Sequence, residues 1–307
     1  MTTNNDIWLE TSTREEWLEV RRMGIGGSDA ASVMGLTGYE ETYVDSQGET
    51  RTTKPYGYIQ TPFFTWLEKR GEIVKTFDEN RIEIELGTTM EPRILREFEM
   101  RTGEKLLPKP SILRHKTYPF IQASLDGWTR DTIVEAKWGR WTPKWGDDGS
   151  DVVPLNYWMQ GQHYMLATGY RRVVIIALLY SSEGLGFRTY NIFADDEWHE
   201  ACIERYSAFW DAVTTGTPPA LFNLNDLNYR FPVARPLSKI EATEPILDAL
   251  TDLRRLKIQQ SEIEASITER KTDIFQFMED NEALTYNGTL LATYKNTRRG
   301  NRVFNIK

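Results

Sequence analysis

The sequence predicts an α/β protein: a central mixed sheet flanked by helices over residues 10–235, followed by a helical segment and a basic β-hairpin over 244–307. Three observations carry this. Residues 171–180, RRVVIIALLY, form the unbroken aliphatic run of a strand buried on both faces. Helical patterns bracket it, LNYWMQGQHYMLATG at 155–169 and DDEWHEACIERYSAFWDAV at 195–213. After the proline-spaced stretch 217–238, Leu250, Leu253, Leu256, Ile263, Ile267, Ile274 and Phe277 recur at three-and-four spacing.

Composition bounds the function classes. With 307 residues, 40% of them hydrophobic, the chain can bury a sizeable core. No run approaches the length of a membrane span and MTTNND is not a signal sequence, so a cytoplasmic protein is expected. The single cysteine, Cys202, excludes an intrachain disulfide, and the three histidines lack zinc-ligand spacing. A net charge of −8 argues against coating nucleic acid indiscriminately. Residues 283–307 nevertheless carry five basic residues and no acid, which suits DNA contacts confined to a channel.

Taken in order, Trp17, Leu18 and Arg21 begin a helical pattern that ends in the glycine-rich RMGIGGSDAA at 22–31. Gly26 and Gly27 admit close approach of a ligand to backbone amides, and Ser28 is placed as the N-cap of a short helix that would attract an anion; a plain glycine turn with a serine cap is the competing reading. Residues 39–61 are polar and turn-rich, a loop or lid, and TPFFTWLEKRG is a helix ending at Gly71. A second helix is predicted over 87–103, with threonine caps, Pro92 in its first turn and Gly103 past its end. Glu91 closes a capping box with Thr88 or, since Ile94, Leu95 and Phe98 follow at i+3, i+4 and i+7, heads an apolar stripe and faces the core. A core-facing acid needs a metal or a lysine such as Lys137 as its partner.

The chemistry concentrates in IQASLDGWTRDTIVEAKW, residues 121–138, read as two short strands and a turn. Glu135 and Lys137 project from one side of the second strand and Ala136 from the other, with Asp126 leaving the first. Carboxylate oxygens suit Mg²⁺ or Mn²⁺, and an adjacent lysine can orient water or stabilise a phosphate. In the loop 139–154, Arg140 and Lys144 alternate with Trp141 and Trp145, a mixture that fits base stacking or a protein interface. Gln160 lies on the next helix and can hydrogen-bond a water or a phosphate. Beyond residue 244 the heptad slips, favouring a hairpin of helices or a short self-association helix, and Asn287-Gly288 marks a hairpin turn.

RMGIGGSDAA, GTTMEP, SLDGW, EAK and YWMQGQHYMLATG occur in this order over roughly Trp17 to Tyr190. In this the chain resembles the lambda-exonuclease or YqaJ-type viral recombinase family of PD-(D/E)xK nucleases, with Leu125 in place of the motif's proline. The resemblance implies a restriction-endonuclease-like core in which Asp126, Glu135 and the Ala136 carbonyl bind Mg²⁺, for which Mn²⁺ can substitute. It places Glu91 in the surrounding shell or on a second ion, has Lys137 and Gln160 position the attacking water, and has Arg22 (or Arg21) and Ser28 grip a 5′ phosphate. Beside two carboxylates Lys137 should keep its proton and so act as an orienter.

The activity implied is resection of double-stranded DNA ends from the 5′ side, leaving 3′ strands for a single-strand annealing protein. A ring-like trimer is the implied assembly, and the cytoplasm of a bacterial host, with a phage or prophage source, the implied setting. An endonuclease or single-strand nuclease on the same core, and a non-catalytic DNA-end or partner-binding module, are the alternatives.

Overall fold

The structure, a computed structural model, describes residues 7–38, 42–44, 50–52, 59–73, 82–108, 112–182, 184–297 and 300–307. The chain divides into two compact units, Met1–Pro232 and Val233–Lys307. Among the described residues no helix is long and apolar enough to cross a membrane.

The first unit opens with β1 (Ile7–Leu9), α1 (Arg14–Arg22) and α2 (Gly27–Val33), a hairpin of β2 (Thr42–Val44) and β3 (Thr50–Thr52), and α3 (Pro62–Lys69). Then come α4 (Ile82–Thr102), β4 (Ile112–Arg114), β5 (Gln122–Ala123), β6 (Gly127–Trp128) and β7 (Ile133–Arg140), followed by α5 (Leu155–Thr168), β8 (Arg172–Ser181), β9 (Gly184–Phe193), α6 (Asp196–Thr215) and α7 (Leu224–Arg230). Most of the sequence-predicted 39–61 loop lies outside the described residues.

The central sheet has the order β6-β7-β8-β9 and is mixed: β7 and β8 run parallel, their outer neighbours antiparallel. Its strands alternate between two cores. Val173, Ile175, Ala177 and Leu179 join the larger cluster with Phe63, Met165 and Tyr206, while Val134, Val174, Ile176 and Leu178 pack on Ile94 and Phe98 of α4. The sheet is therefore covered on both faces, which explains the unbroken apolar run of β8. β1, β4 and β5 form a separate antiparallel sheet, and a parallel bridge from Ile25 to Ile121 ties it to the glycine-rich turn.

Three local expectations need correction. α4 begins at Ile82 rather than near Thr88, because IEIEL continues the helical pattern upstream, and Pro92 lies inside it. The Thr88–Glu91 capping box thus has no helix end to close, whereas the stripe reading holds: Ile94 and Phe98 are buried. Trp145 packs on Tyr157 and Tyr190 within the core instead of standing ready for bases. In the second unit, α8 (Glu244–Met278) is one continuous helix rather than a hairpin of helices, its only proline sitting in the first turn. β10 (Ala283–Tyr286), β11 (Thr289–Asn296) and β12 (Arg302–Ile306) complete that unit as an antiparallel sheet. Asn287 and Gly288, both at positive φ, make the expected hairpin turn.

His163 is the buried polar tie of the first unit. Its Nε2 lies 2.7 Å from the Gln122 carbonyl, an acceptor only, so Nε2 carries the proton and Nδ1 accepts from the Tyr206 hydroxyl at 3.2 Å. This joins α5 to β5 and α6. Burial lowers the His163 pKa from 6.5 to about 4. The unfolded chain takes up this proton near pH 6.5 and the folded one only near 4, so the contribution is complete above 6.5 and is lost as pH falls towards 4. It amounts to about 3 kcal/mol. We predict that NMR finds His163 as the neutral Nε2–H tautomer at pH 5.5, with stability falling between pH 6.5 and 4; titration near 6.5 in the folded protein would contradict this.

Candidate active site

A cleft of about 670 Å³ is lined by α1, the glycine-rich turn, α4, β5, β7 and α5. Glu91, Asp126, Glu135, Lys137 and Gln160 all reach it, together with Arg21 and Ser28. Seven residues spread over 140 positions of sequence thus share one concavity, whereas Arg22 does not line it.

Period-two alternation along β7 sends Glu135 and Lys137 towards α5, opposite to Val134 and Ala136. Lys137 Nζ lies 2.5 Å from Glu135 Oε1 and donates to Gln160 Oε1 at 3.1 Å. The Gln160 amide donates to Glu135 Oε1 at 2.8 Å and to the Tyr164 hydroxyl at 2.7 Å. The Tyr157 ring lies 4.7 Å from the Lys137 ammonium. These contacts lock one carboxylate oxygen of Glu135 and the amide of Gln160 in place.

Asp126 accepts a hydrogen bond from the Ala136 N–H at 3.0 Å. A residue's N–H and C=O point to the same side of an extended strand, so the Ala136 carbonyl is turned towards Asp126 as well. Glu135 is only 3% exposed; among the described residues no donor reaches its Oε2, and its carboxyl lies within hydrogen-bonding reach of the Asp126 carboxylate. Burial, and next the charge of Asp126, push the Glu135 pKa up to about 8 against the pull of Lys137. Burial opposes the charge of Lys137 too, but Glu135 and Asp126 outweigh it and raise the lysine pKa. Lys137 therefore stays cationic, as its neighbours led one to expect.

The orphaned Oε2, the adjacent carboxylate and the main-chain carbonyl fit a hard divalent cation, whose charge would relieve what keeps Glu135 protonated. Among the described residues no three His, Cys, Asp or Glu side chains cluster closely enough to hold a metal. Glu91 stands half-buried on the cleft wall without forming a three-acid cluster with Asp126 and Glu135.

In the same cleft the Arg21 guanidinium donates to Ser28 Oγ and stacks over Trp17 at 5.0 Å. The Arg22 guanidinium instead lies against Gly71, so of the two arginines offered by the sequence it is Arg21, not Arg22, that faces the cleft: successive helix positions differ by about 100° and only one can do so. Ser28 is likewise not the N-cap. α2 starts at Gly27 with Gly26 as cap, and the Gly26 N–H is taken by Asp29 Oδ2 at 2.9 Å, which removes this amide from ligand binding.

Asp29 was not singled out in the sequence. Buried, it pairs with Lys69 at 2.6 Å, and Lys69 also donates to the Arg21 carbonyl at 3.3 Å. Burial works against the Asp29 charge, but Lys69 and then Arg21 hold its carboxyl well below the usual carboxylate range. The pair fixes the turn between α1 and α2. Nothing local in the sequence points from position 29 to position 69. Tyr164 was legible, four residues beyond Gln160 on the same helical face.

A mixed sheet that presents an acid and a lysine on one strand, a second acid at the entry to the adjoining strand and a glutamine from the next helix defines the PD-(D/E)xK nuclease class. The profile of the YqaJ-like viral recombinase domain matches residues 16–171, and the chain belongs to this family. The uncharacterized protein YqaJ of Bacillus subtilis strain 168 is 29% identical over an alignment of 281 positions that covers 88% of this chain and 80% of that protein. Two solved structures are similar at lower identity. An alkaline exonuclease from Laribacter hongkongensis has 17% identity and a TM-score of 0.46, covering 66% of this chain and 93% of its own. A phage-related exonuclease from Haemophilus somnus has 15% identity and a TM-score of 0.42, covering 62% and 93%.

Gly27 sets the spacing of the site, since a Cβ there would lie 2.5 Å from Tyr164 Cε1 and 3.1 Å from Gln160 Cγ. Gly27→Ala should lower stability in urea by about 1–3 kcal/mol. Gly139→Ala, whose Cβ meets nothing within 4 Å, serves as the control and should change little. Equal midpoints for the two variants would contradict the tight α2–α5 contact.

Proposed function

We propose that this protein is a Mg²⁺-dependent exonuclease that degrades duplex DNA from the 5′ end and leaves a 3′ strand for an annealing protein. The observation that carries the reading is one cleft that holds both an acid–lysine–glutamine centre and the Arg21–Ser28 pair. Such a cleft suits a terminal nucleotide gripped by its phosphate while the next phosphodiester meets the acids.

Asp126, Glu135 and the Ala136 carbonyl would hold the cation, with Glu91 nearby on the cleft wall. When bound, Mg²⁺ lowers the pKa of water and offsets negative charge on the phosphate. Lys137 and Gln160, tied to each other and to Glu135, orient the attacking water and the scissile phosphate. The raised pKa of Lys137 makes it a charge stabiliser rather than a proton acceptor. Arg21 and Ser28 would select a 5′ phosphate through charge-assisted hydrogen bonds.

A linear duplex labelled at either end, with and without a 5′ phosphate, tests the reading. Expected are Mg²⁺-dependent release of mononucleotides from the 5′ end and loss of turnover in Asp126→Ala. Arg21→Ala should lose the preference for phosphorylated ends, and Arg22→Ala should keep it. Cleavage of closed circular DNA at the linear rate would select an endonuclease instead, and full activity of Asp126→Ala would overturn the site.

A further inference from the structure

α8 is longer than its own sheet can cover. At 1.5 Å per residue its 35 residues extend about 52 Å, and the three-stranded sheet packs on its C-terminal end, where Phe275 stacks on Tyr294 at 4.2 Å and meets Phe304 at 5.1 Å. Among the described residues of α8 only Met278 is buried. A helix so bare should be polar all round, yet Leu253, Leu256, Ile263, Ile267 and Phe277 are exposed and Ile274 is half-buried. With Gln260 and Arg270 counted in, these positions follow one another by three and four without a break, the spacing of a seam between two helices. Leu250, which makes the heptad slip in the sequence, lies beside this line.

Where the seam passes the sheet it forms one wall of a groove of about 690 Å³, with Phe304 and Ile306 of β12 as the other. An apolar seam of this length calls for a second helix, and its two polar positions say which one. Let two copies of α8 run antiparallel and cross at the level of residue 265. Gln260 then faces the partner's Arg270, and Leu253, Leu256 and Ile263 face the partner's Phe277, Ile274 and Ile267. Every apolar side chain meets an apolar one, and the two polar residues meet each other, once on either side of the crossing. The Gln260 amide donates to Glu264 at 2.9 Å, which leaves its Oε1 to accept from the guanidinium. Sliding by one heptad in either direction sets Gln260 and Arg270 against apolar residues, and a parallel pair sets Arg270 against its own copy inside the seam. The pattern is thus complementary to itself, the property of a two-fold interface.

We propose that α8 is a dimerisation element that pairs antiparallel with α8 of a second copy of this chain. The contact runs over residues 253–277, about 36 Å, with the partner helix lying in the groove beside β12. The inference stands apart from the nuclease reading. It puts two copies of the cleft in one particle, whichever reaction the cleft performs.

Sedimentation of the full chain over a range of concentrations tests it, with an even number of chains per particle expected. Ile263→Asp combined with Ile267→Asp should halve the particle mass, while Ile258→Asp, exposed on the opposite face of α8, should leave it unchanged. Circular dichroism checks that both keep their helix content; if the double variant loses it, two further variants decide. Gln260→Glu, opposite the partner's Arg270, should tighten association by about threefold. Leu253→Cys together with Phe277→Cys should oxidise in air to a covalent dimer, and Leu253→Cys alone should not. An odd number of chains at every concentration would overturn the proposal, as would equal masses for the two aspartate variants or weaker association of Gln260→Glu. Cross-linking of Leu253→Cys alone, the mark of a parallel pair, would overturn it too.

Discussion

The site depends on a buried like-charge encounter. Glu135 sits almost wholly inside the protein beside Asp126, with one oxygen tied to Lys137 and Gln160 and the other reached by no donor. Bringing a second carboxylate to a desolvated one is unfavourable unless a cation or a proton intervenes, and in the protein alone the proton serves. Much of the first unit holds this arrangement against its own repulsion. The sheet fixes the strand that carries Glu135 and Lys137, α4 packs the opposite face, and α5 supplies Gln160, Tyr157 and Tyr164.

The glycine-rich turn brings the second half of the cleft to the first. Its glycines serve close packing more than ligand approach: Gly27 lets α2 lie against Tyr164, and Gly24 makes room for Gln122. The buried Asp29–Lys69 pair then pins the turn and the end of α1, which aims Arg21 at Ser28. Such a pair contributes little net stability compared with an apolar core, but removing one partner leaves a buried charge uncompensated. Its value here is positional, since it connects three segments that meet at the cleft.

Legibility followed the range of the interactions. The buried strand at 172–181, the glycine ends of α4 and α5 at positive φ, and the Asn287-Gly288 turn came straight from local patterns. So did the pairing of Glu135 with Lys137, because strand alternation alone puts both on one side. What failed needed either helix phase or distant contacts. Arg21 and Arg22 are neighbours in sequence but point about 100° apart, and motif spacing alone could not choose between them. Trp145 among basic residues read as a surface stacker because its partners, Tyr157 and Tyr190, lie 12 and 45 positions away.

The central claim is that Asp126 and Glu135 are built around a divalent cation that takes the place of the proton on Glu135. Calorimetric titration of Mn²⁺ into the metal-free protein at pH 7, in buffers of different ionisation enthalpy, tests it most directly. The account predicts saturable binding with release of close to one proton, and loss of both in Glu135→Gln. Binding without proton release, or of unchanged strength in Glu135→Gln, would contradict it.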